Sequence, residues 1–206
     1  MSPRFHALLA NVLVAAWAGG VISPAAAADG GATFLRDLSL STEPSPVVTI
    51  CHGFNCALRH QFVLTPGRLA SIRSQLGAAR SAKDERKALA KVVAWFDRES
   101  GKVAGTVNRI AYASAATKSG PAQMDCIDLT ANITELLRLL ERNKLMKFHQ
   151  VGEPVSRGFI IDGKQPHTTP VIVETANGGE WSVDSWTHAY GEAPDILAIA
   201  EWKNRK

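Results

Sequence analysis

The stretch Asp125-Cys126-Ile127-Asp128-Leu129-Thr130-Ala131-Asn132-Ile133-Thr134-Glu135-Leu136-Leu137-Arg138-Leu139-Leu140 decides how this chain folds. Leu129, Ile133, Leu136, Leu137 and Leu140 recur at helical spacing in one apolar stripe, which predicts a core helix from about Asp125 to Asn143. Asp125 suits the N-cap, and Cys126 falls in the first turn. A thiol there meets the positive end of the helix dipole and unpaired backbone N–H groups, both of which favour thiolate. Given an imidazole to take its proton and a carboxylate to orient that imidazole, such a sulfur becomes a nucleophile.

Beyond Asn143 the period switches from helical to alternating. Short strands are expected at Met146 to Val151, Gly158 to Ile161, His167 to Glu174 and Trp181 to Trp186, separated by Gly, Pro and Asn turns. Asn177-Gly178-Gly179 reads as a hairpin turn that pairs the His167 strand with the Asp184 strand. His167 then begins one strand and Asp184 ends its antiparallel partner, so both fall at the same end of the sheet. Their distances from the turn differ, and a bulge near Pro170 is expected to absorb part of the difference. If the core helix points its N-terminus to that end, Cys126, His167 and Asp184 meet as nucleophile, base and orienting carboxylate. The Cys126 N–H is one oxyanion donor, and Gln123 is the candidate for a second. His149 and His188 are the rival imidazoles. Singly, each residue also has a structural reading: a small core thiol, a satisfied strand histidine, an aspartate bonded to nearby backbone.

The chain starts with Arg4 and His6, an apolar run from Ala7 to Ile22, and Ser23-Pro24-Ala25-Ala26-Ala27-Ala28. Basic start, short apolar region and small residues at A-x-A spacing predict a signal peptide over residues 1–28, cleaved after Ala28, and hence a periplasmic or secreted protein. No later segment is long and apolar enough to span a membrane. The formal net charge of +4 is mild, and the cations lie beside acidic residues without interleaved aromatics, so a nucleic-acid role has little support. Residues 29–45 read as a flexible lead-in and 46–206 as one domain.

Three cysteines in an exported chain allow one bridge and one free thiol. Val47 to Cys51 and Cys56 to Leu64 read as a hairpin, and a cross-strand Cys51–Cys56 disulfide leaves Cys126 free. Two unpaired thiols, or a metal site from Cys51, His52, Cys56 and His60, are the alternatives; C-H-x3-C-x3-H lacks the long interval of ordinary zinc sites. Thr65-Pro66-Gly67 starts a helix carrying Leu69, Ile72 and Leu76. A second helix is expected from Ser81 to Ser100, with Leu89, Val92, Val93 and Phe96 inward and Gly101 ending it. Thr106 to Pro121 is a long connection leading to Cys126. Asn132-Ile133-Thr134 matches a glycosylation sequon but falls mid-helix among core residues.

Asp125-Cys126-Ile127-Asp128, a strand-starting His167 roughly 40 residues on and Asp184 behind Trp181 together resemble the transglutaminase-like superfamily, and within it the bacterial LapG-type cysteine peptidases. The resemblance covers about Gln123 to Trp186. It implies an α+β fold with a papain/transglutaminase-like core: a catalytic helix packed on an antiparallel sheet, with additional N-terminal helices. It further implies a cysteine hydrolase, a peptidase, that forms a thioester on Cys126 and acts on a protein or peptide, cell-wall peptide included, without a cofactor. Thr168-Thr169-Pro170 after His167, and Ile127 between Cys126 and Asp128, depart from the family pattern; calcium dependence is not carried over. An NlpC-type peptidoglycan peptidase and a non-catalytic transglutaminase-like binding module are the competing readings.

Overall fold

The computed structural model describes residues 29–118, 120–158 and 166–205. The expected signal segment, and the Phe159 to Ile161 part of one expected strand, lie outside these residues. Among them the fold is α+β, with helices α1 (Ala32–Asp37), α2 (Pro66–Gly77), α3 (Ala82–Ala104), α4 (Cys126–Arg142) and α5 (Ile199–Asn204). Strands β1 (Val47–His52) and β2 (Leu58–Val63) form one antiparallel sheet. β3 (His149–Arg157), β4 (His167–Glu174) and β5 (Glu180–Ser182) form a second, in the order β3-β4-β5.

α4 is the organising element. Its capping box is complete: the Asp125 carboxylate accepts from the Asp128 N–H at 2.8 Å, and the Asp128 carboxylate accepts from the Asp125 N–H at 3.2 Å. The stripe Leu129, Ile133, Leu136, Leu137 and Leu140 is buried, each side chain contributing roughly 1.5–3 kcal/mol of apolar transfer. Burial extends further round the helix than one stripe, because β1 packs on it as well as β3 and β4. Thr130 and Asn132, on those extra faces, bond to main chain. Thr130 Oγ1 donates to the Thr168 carbonyl at 3.0 Å, and Asn132 accepts from the Cys51 N–H and donates to the Cys51 carbonyl, at 2.6 and 2.9 Å. Asn132 is 3% exposed, so the sequon is not a surface site. One core cluster joins α4 to Ile50 and Phe62 of the hairpin, Leu89 and Phe96 of α3, and Ile172 of β4.

Upstream, Cys51 and Cys56 are disulfide-bonded. The bridge is not cross-strand as expected: Cys51 faces Arg59 across the ladder, and Cys56 lies in the turn. That turn is unusual, since Gly53, Phe54, Asn55 and Cys56 all have left-handed φ. With both sulfurs consumed, the four-ligand metal reading of Cys51, His52, Cys56 and His60 is overturned. Residues 29–45, read from sequence as a loose lead-in, carry α1, whose Leu35 packs on Cys51, Cys56 and Ala131. Arg138 donates to the Gly30 carbonyl and Arg142 to that of Thr42, fastening this segment to α4.

α3 runs through Gly101 and ends at Gly105, which takes the left-handed C-cap conformation. Gly101 is therefore not a stop signal. A Cβ there would lie 2.5 Å from the Tyr190 ring, so the glycine admits a close approach of the Tyr190 segment. β3 starts at His149 and runs past the end expected at Val151, to Arg157. It continues through Glu153-Pro154 by bulging between Gly152 and Val155, and an edge strand with a bulge tolerates a proline that cannot donate to the ladder. The irregularity expected beside Pro170 is thus in the facing strand; β4 and β5 pair in simple register, Val171 with Ser182 and Val173 with Glu180. β5 is shorter than expected. After Ser182 the chain turns to the C-terminal segment, with bridges from Trp181 to Ala198 and from Asp184 to Asp195.

Gly101→Ala is expected to lower the melting temperature, the reverse of the roughly 0.5–1 kcal/mol gain that Gly to Ala brings in an open helix interior. Combined with Tyr190→Ala, the sign should reverse. Thermal denaturation of the single and double variants checks both.

Candidate active site

Cys126 is the first residue of α4, so its N–H has no intrahelical acceptor. Its half-buried thiol is the free cysteine of the chain and faces the N–H of Thr168 at the start of β4. Thr168 is held there by its own carbonyl, which accepts from Thr130 one turn along α4. The helix start and the strand start are therefore stitched together, and the sulfur sits beside the residue that follows His167.

His167 is 2% exposed, and its Nε2 lies 2.6 Å from Asp184 Oδ2. Asp184 is bonded at both oxygens. Oδ2 also accepts from the Trp202 indole N–H at 2.8 Å, and Oδ1 accepts from the Trp186 N–H at 3.1 Å. Burial alone would push this carboxyl up; the bonds from His167, Trp202 and Trp186 outweigh it and hold the group below the usual aspartate range. An ionised Asp184 makes Nε2 the protonated nitrogen of His167 and leaves the lone pair on Nδ1. Nδ1 is buried and has no hydrogen-bond partner among the described residues. Trp186 and Trp202 flank the ring, with centroids at 4.5 and 5.4 Å.

The structure thus brings Cys126, His167 and Asp184 to one end of the sheet. The thiol and the imidazole share no hydrogen bond there. The expectation that the helix start yields a thiolate is overturned for the resting protein: burial, aided by the charges of Asp125 and Asp184, pushes the thiol up to about 11, and the Thr168 N–H offsets only part of this. Desolvation outweighs the dipole because the sulfur lies between α4 and β4.

Gln123 is placed differently from its expected role. Its side-chain oxygen accepts from the Ile110 N–H at 2.9 Å and its nitrogen donates to the Asn108 carbonyl at 3.1 Å. Both ends of the amide fasten the long connection upstream of Cys126. His149 is occupied at both nitrogens: Nδ1 donates to Glu85 at 2.8 Å, and Nε2 accepts from Arg86 at 3.0 Å. Glu85, fully buried, is held below its usual range as hydrogen bonds from His149, Lys147 and Phe148 together overcome burial. His188 faces Glu192 and Asp195. Neither rival contacts Cys126.

Sequence reasoning missed Trp202 altogether. It sits on a six-residue helix with no motif, and its only signal is an apolar pairing with Ile199. Trp186 was visible beside Asp184, but its stacking on His167 was not.

Comparison with known proteins supplies no relative: no family model matches the chain, and neither curated proteins nor solved structures give a match.

Iodoacetamide alkylation of Cys126 in the native protein is expected to speed up about tenfold per pH unit from pH 7 to pH 10, because the thiolate fraction grows until the pH passes about 11. A rate already level near pH 8 would show a thiol far less shielded than this geometry makes it.

Proposed function

We propose that the protein is an exported cysteine hydrolase of the transglutaminase-like type, a peptidase whose core is the papain/transglutaminase arrangement of a nucleophile-bearing helix on an antiparallel sheet. The observation that carries this reading is the state of His167. One nitrogen is bonded to a carboxylate that two further donors hold ionised, and the other is buried without a hydrogen-bond partner, in the residue just before Thr168, whose N–H faces Cys126. A buried nitrogen without a partner calls for a reason, and accepting the thiol proton supplies one.

In the proposed reaction Cys126 Sγ attacks the carbonyl carbon of a peptide or carboxamide while its proton passes to His167 Nδ1. The Cys126 N–H bonds the developing oxyanion. Collapse breaks the C–N bond, and the imidazolium gives its proton to the leaving amine, leaving a thioester on Cys126. His167 then takes a proton from water, hydroxide attacks the thioester, and the carboxylic acid leaves with the thiol restored. Asp184 keeps the imidazole in the tautomer this sequence needs and stabilises its cation. With a resting thiol held up to about 11, ionisation belongs to the acylation step and not to the free protein. The Cys51–Cys56 disulfide supports a location outside the cytoplasm, and among the described residues no helix is long and apolar enough to cross a membrane.

The shielded, neutral thiol is also what favours the second reading, a binding module that keeps the arrangement without turnover. Acylation by p-nitrophenyl acetate at pH 7.5 separates the two, that pH being near the about 7 at which a histidine base works best. The hydrolase is expected to release a burst of about one nitrophenol per chain, with acetyl found on Cys126 by mass spectrometry. Cys126→Ala should abolish the burst, and His167→Asn should slow acylation by about 100-fold or more. Equal acylation of wild type and His167→Asn, or none at Cys126, would leave the binding module standing.

A further inference from the structure

Trp202 is fully buried on α5, the last helix, and reaches Asp184 with its only polar atom. Its indole N–H donates to the same oxygen, Oδ2, that receives His167 Nε2–H, so the two donors meet at one acceptor from opposite elements. The indole ring lies against the imidazole. The Arg157 guanidinium also stacks on it, 4.5 Å from a Trp202 ring centroid. Arg157 also donates to the main-chain carbonyls of Trp202 and Arg205, and it faces His167 across the β3–β4 ladder. α5 is therefore pinned by the residue opposite the candidate base, and its tryptophan completes the shell of the candidate carboxylate.

We propose that Trp202 is a positioning residue for the Asp184–His167 pair: its N–H fixes the plane of the Asp184 carboxylate and, through it, the orientation of the His167 ring. The catalytic consequence rests on the hydrolase reading above; the effect on the pair itself does not. The physical reason is the geometry at Oδ2. The Trp186 N–H holds Oδ1, and the indole N–H joins His167 at Oδ2, so three donors resist rotation of the carboxylate about its Cβ–Cγ bond and hold the imidazole bonded to it. A phenyl ring would fill most of the same space and supply no donor.

The charged and titratable groups around Asp184 are His167 on β4, Cys126 on α4, Arg157 on β3, and Asp195, its bridge partner, which is itself paired with Arg205. None of these replaces the indole N–H. Its removal should raise the Asp184 pKa, because the carboxylate loses a hydrogen bond that favours its charged form. Without the indole donor Asp184 keeps more of its charge for His167, so the imidazolium is better supported and the acid limb of acylation, which follows protonation of the base, moves to higher pH.

The test replaces Trp202 by phenylalanine and, in a second protein, by benzothienylalanine, which keeps the indole shape and substitutes sulfur for N–H. Two readouts are used. One is the NMR titration of the His167 ring and its Nε2 proton in the resting protein. The other is the pH profile of p-nitrophenyl acetate acylation. Both variants should move the low-field Nε2 proton signal, shift the His167 titration to higher pH, and carry the acid limb of acylation in the same direction. The benzothienyl variant keeps the test valid if the phenylalanine variant does not fold. An unchanged His167 signal and titration in the benzothienyl variant overturns the proposal and leaves the hydrolase reading intact. A shifted His167 titration in a protein that never acylates Cys126 supports the positioning role and removes the hydrolase reading.

Discussion

The buried carboxylate of Asp128 is the constraint on which the remaining geometry depends. It accepts from the N–H groups of Cys56 at 2.7 Å, Phe54 at 2.9 Å and Asp125 at 3.2 Å. Asp125 adds a bond from the Asn55 N–H at 3.0 Å. Burial and the nearby Asp125 charge push Asp128 up, and the three donors pull it back. The cost of desolvating the group is several kcal/mol, and charge-assisted bonds of about 1.5–3 kcal/mol each are what can offset it. The outcome is spatial: the first turn of α4 is fixed to the disulfide-closed turn of the β1–β2 hairpin. Because Cys126 belongs to that first turn, its height relative to β4 is set from the hairpin side.

A second constraint acts from the other direction. β4 is hydrogen-bonded on both sides and carries Thr168, which α4 grips through Thr130. His167 therefore inherits its place from the sheet, Asp184 from the bridge to Asp195, and the thiol from the helix cap. Three independent parts of the fold converge on one small volume. That convergence leaves little room for water at the sulfur, which is why desolvation prevails over the helix dipole there.

Much of this was legible in local sequence. The stripe of α4, its Asp125 cap, the Asn177-Gly178-Gly179 hairpin and the Cys51–Cys56 pairing are all short-range signals, and each is present in the structure. The illegible features are those fixed by residues far apart. Gly101 reads as a helix stop, but its reason is Tyr190. Pro154 reads as a strand break, but a bulge on an edge strand accommodates it. Gln123 looks like an oxyanion donor because it precedes the cysteine, yet its amide is committed to residues 108 and 110. For the site, the order and spacing of Cys126, His167 and Asp184 placed the three at one sheet end. Sequence could not show that the thiol would be shielded, nor that a tryptophan from α5 would share the carboxylate.

The turn that grips Asp128 and Asp125 offers them main-chain N–H groups only. The side chains of Phe54 and Asn55 take no part in those bonds, so the match between turn and helix is indifferent to what they are. Left-handed backbone narrows the choice to residues that accept it, such as glycine and asparagine. The two aspartates have no such latitude, because both oxygens of each accept a main-chain N–H and no other side chain of that length offers two acceptor oxygens. Substitution should therefore meet different limits on the two sides of a single contact, set by backbone conformation in the turn and by side-chain chemistry on the helix.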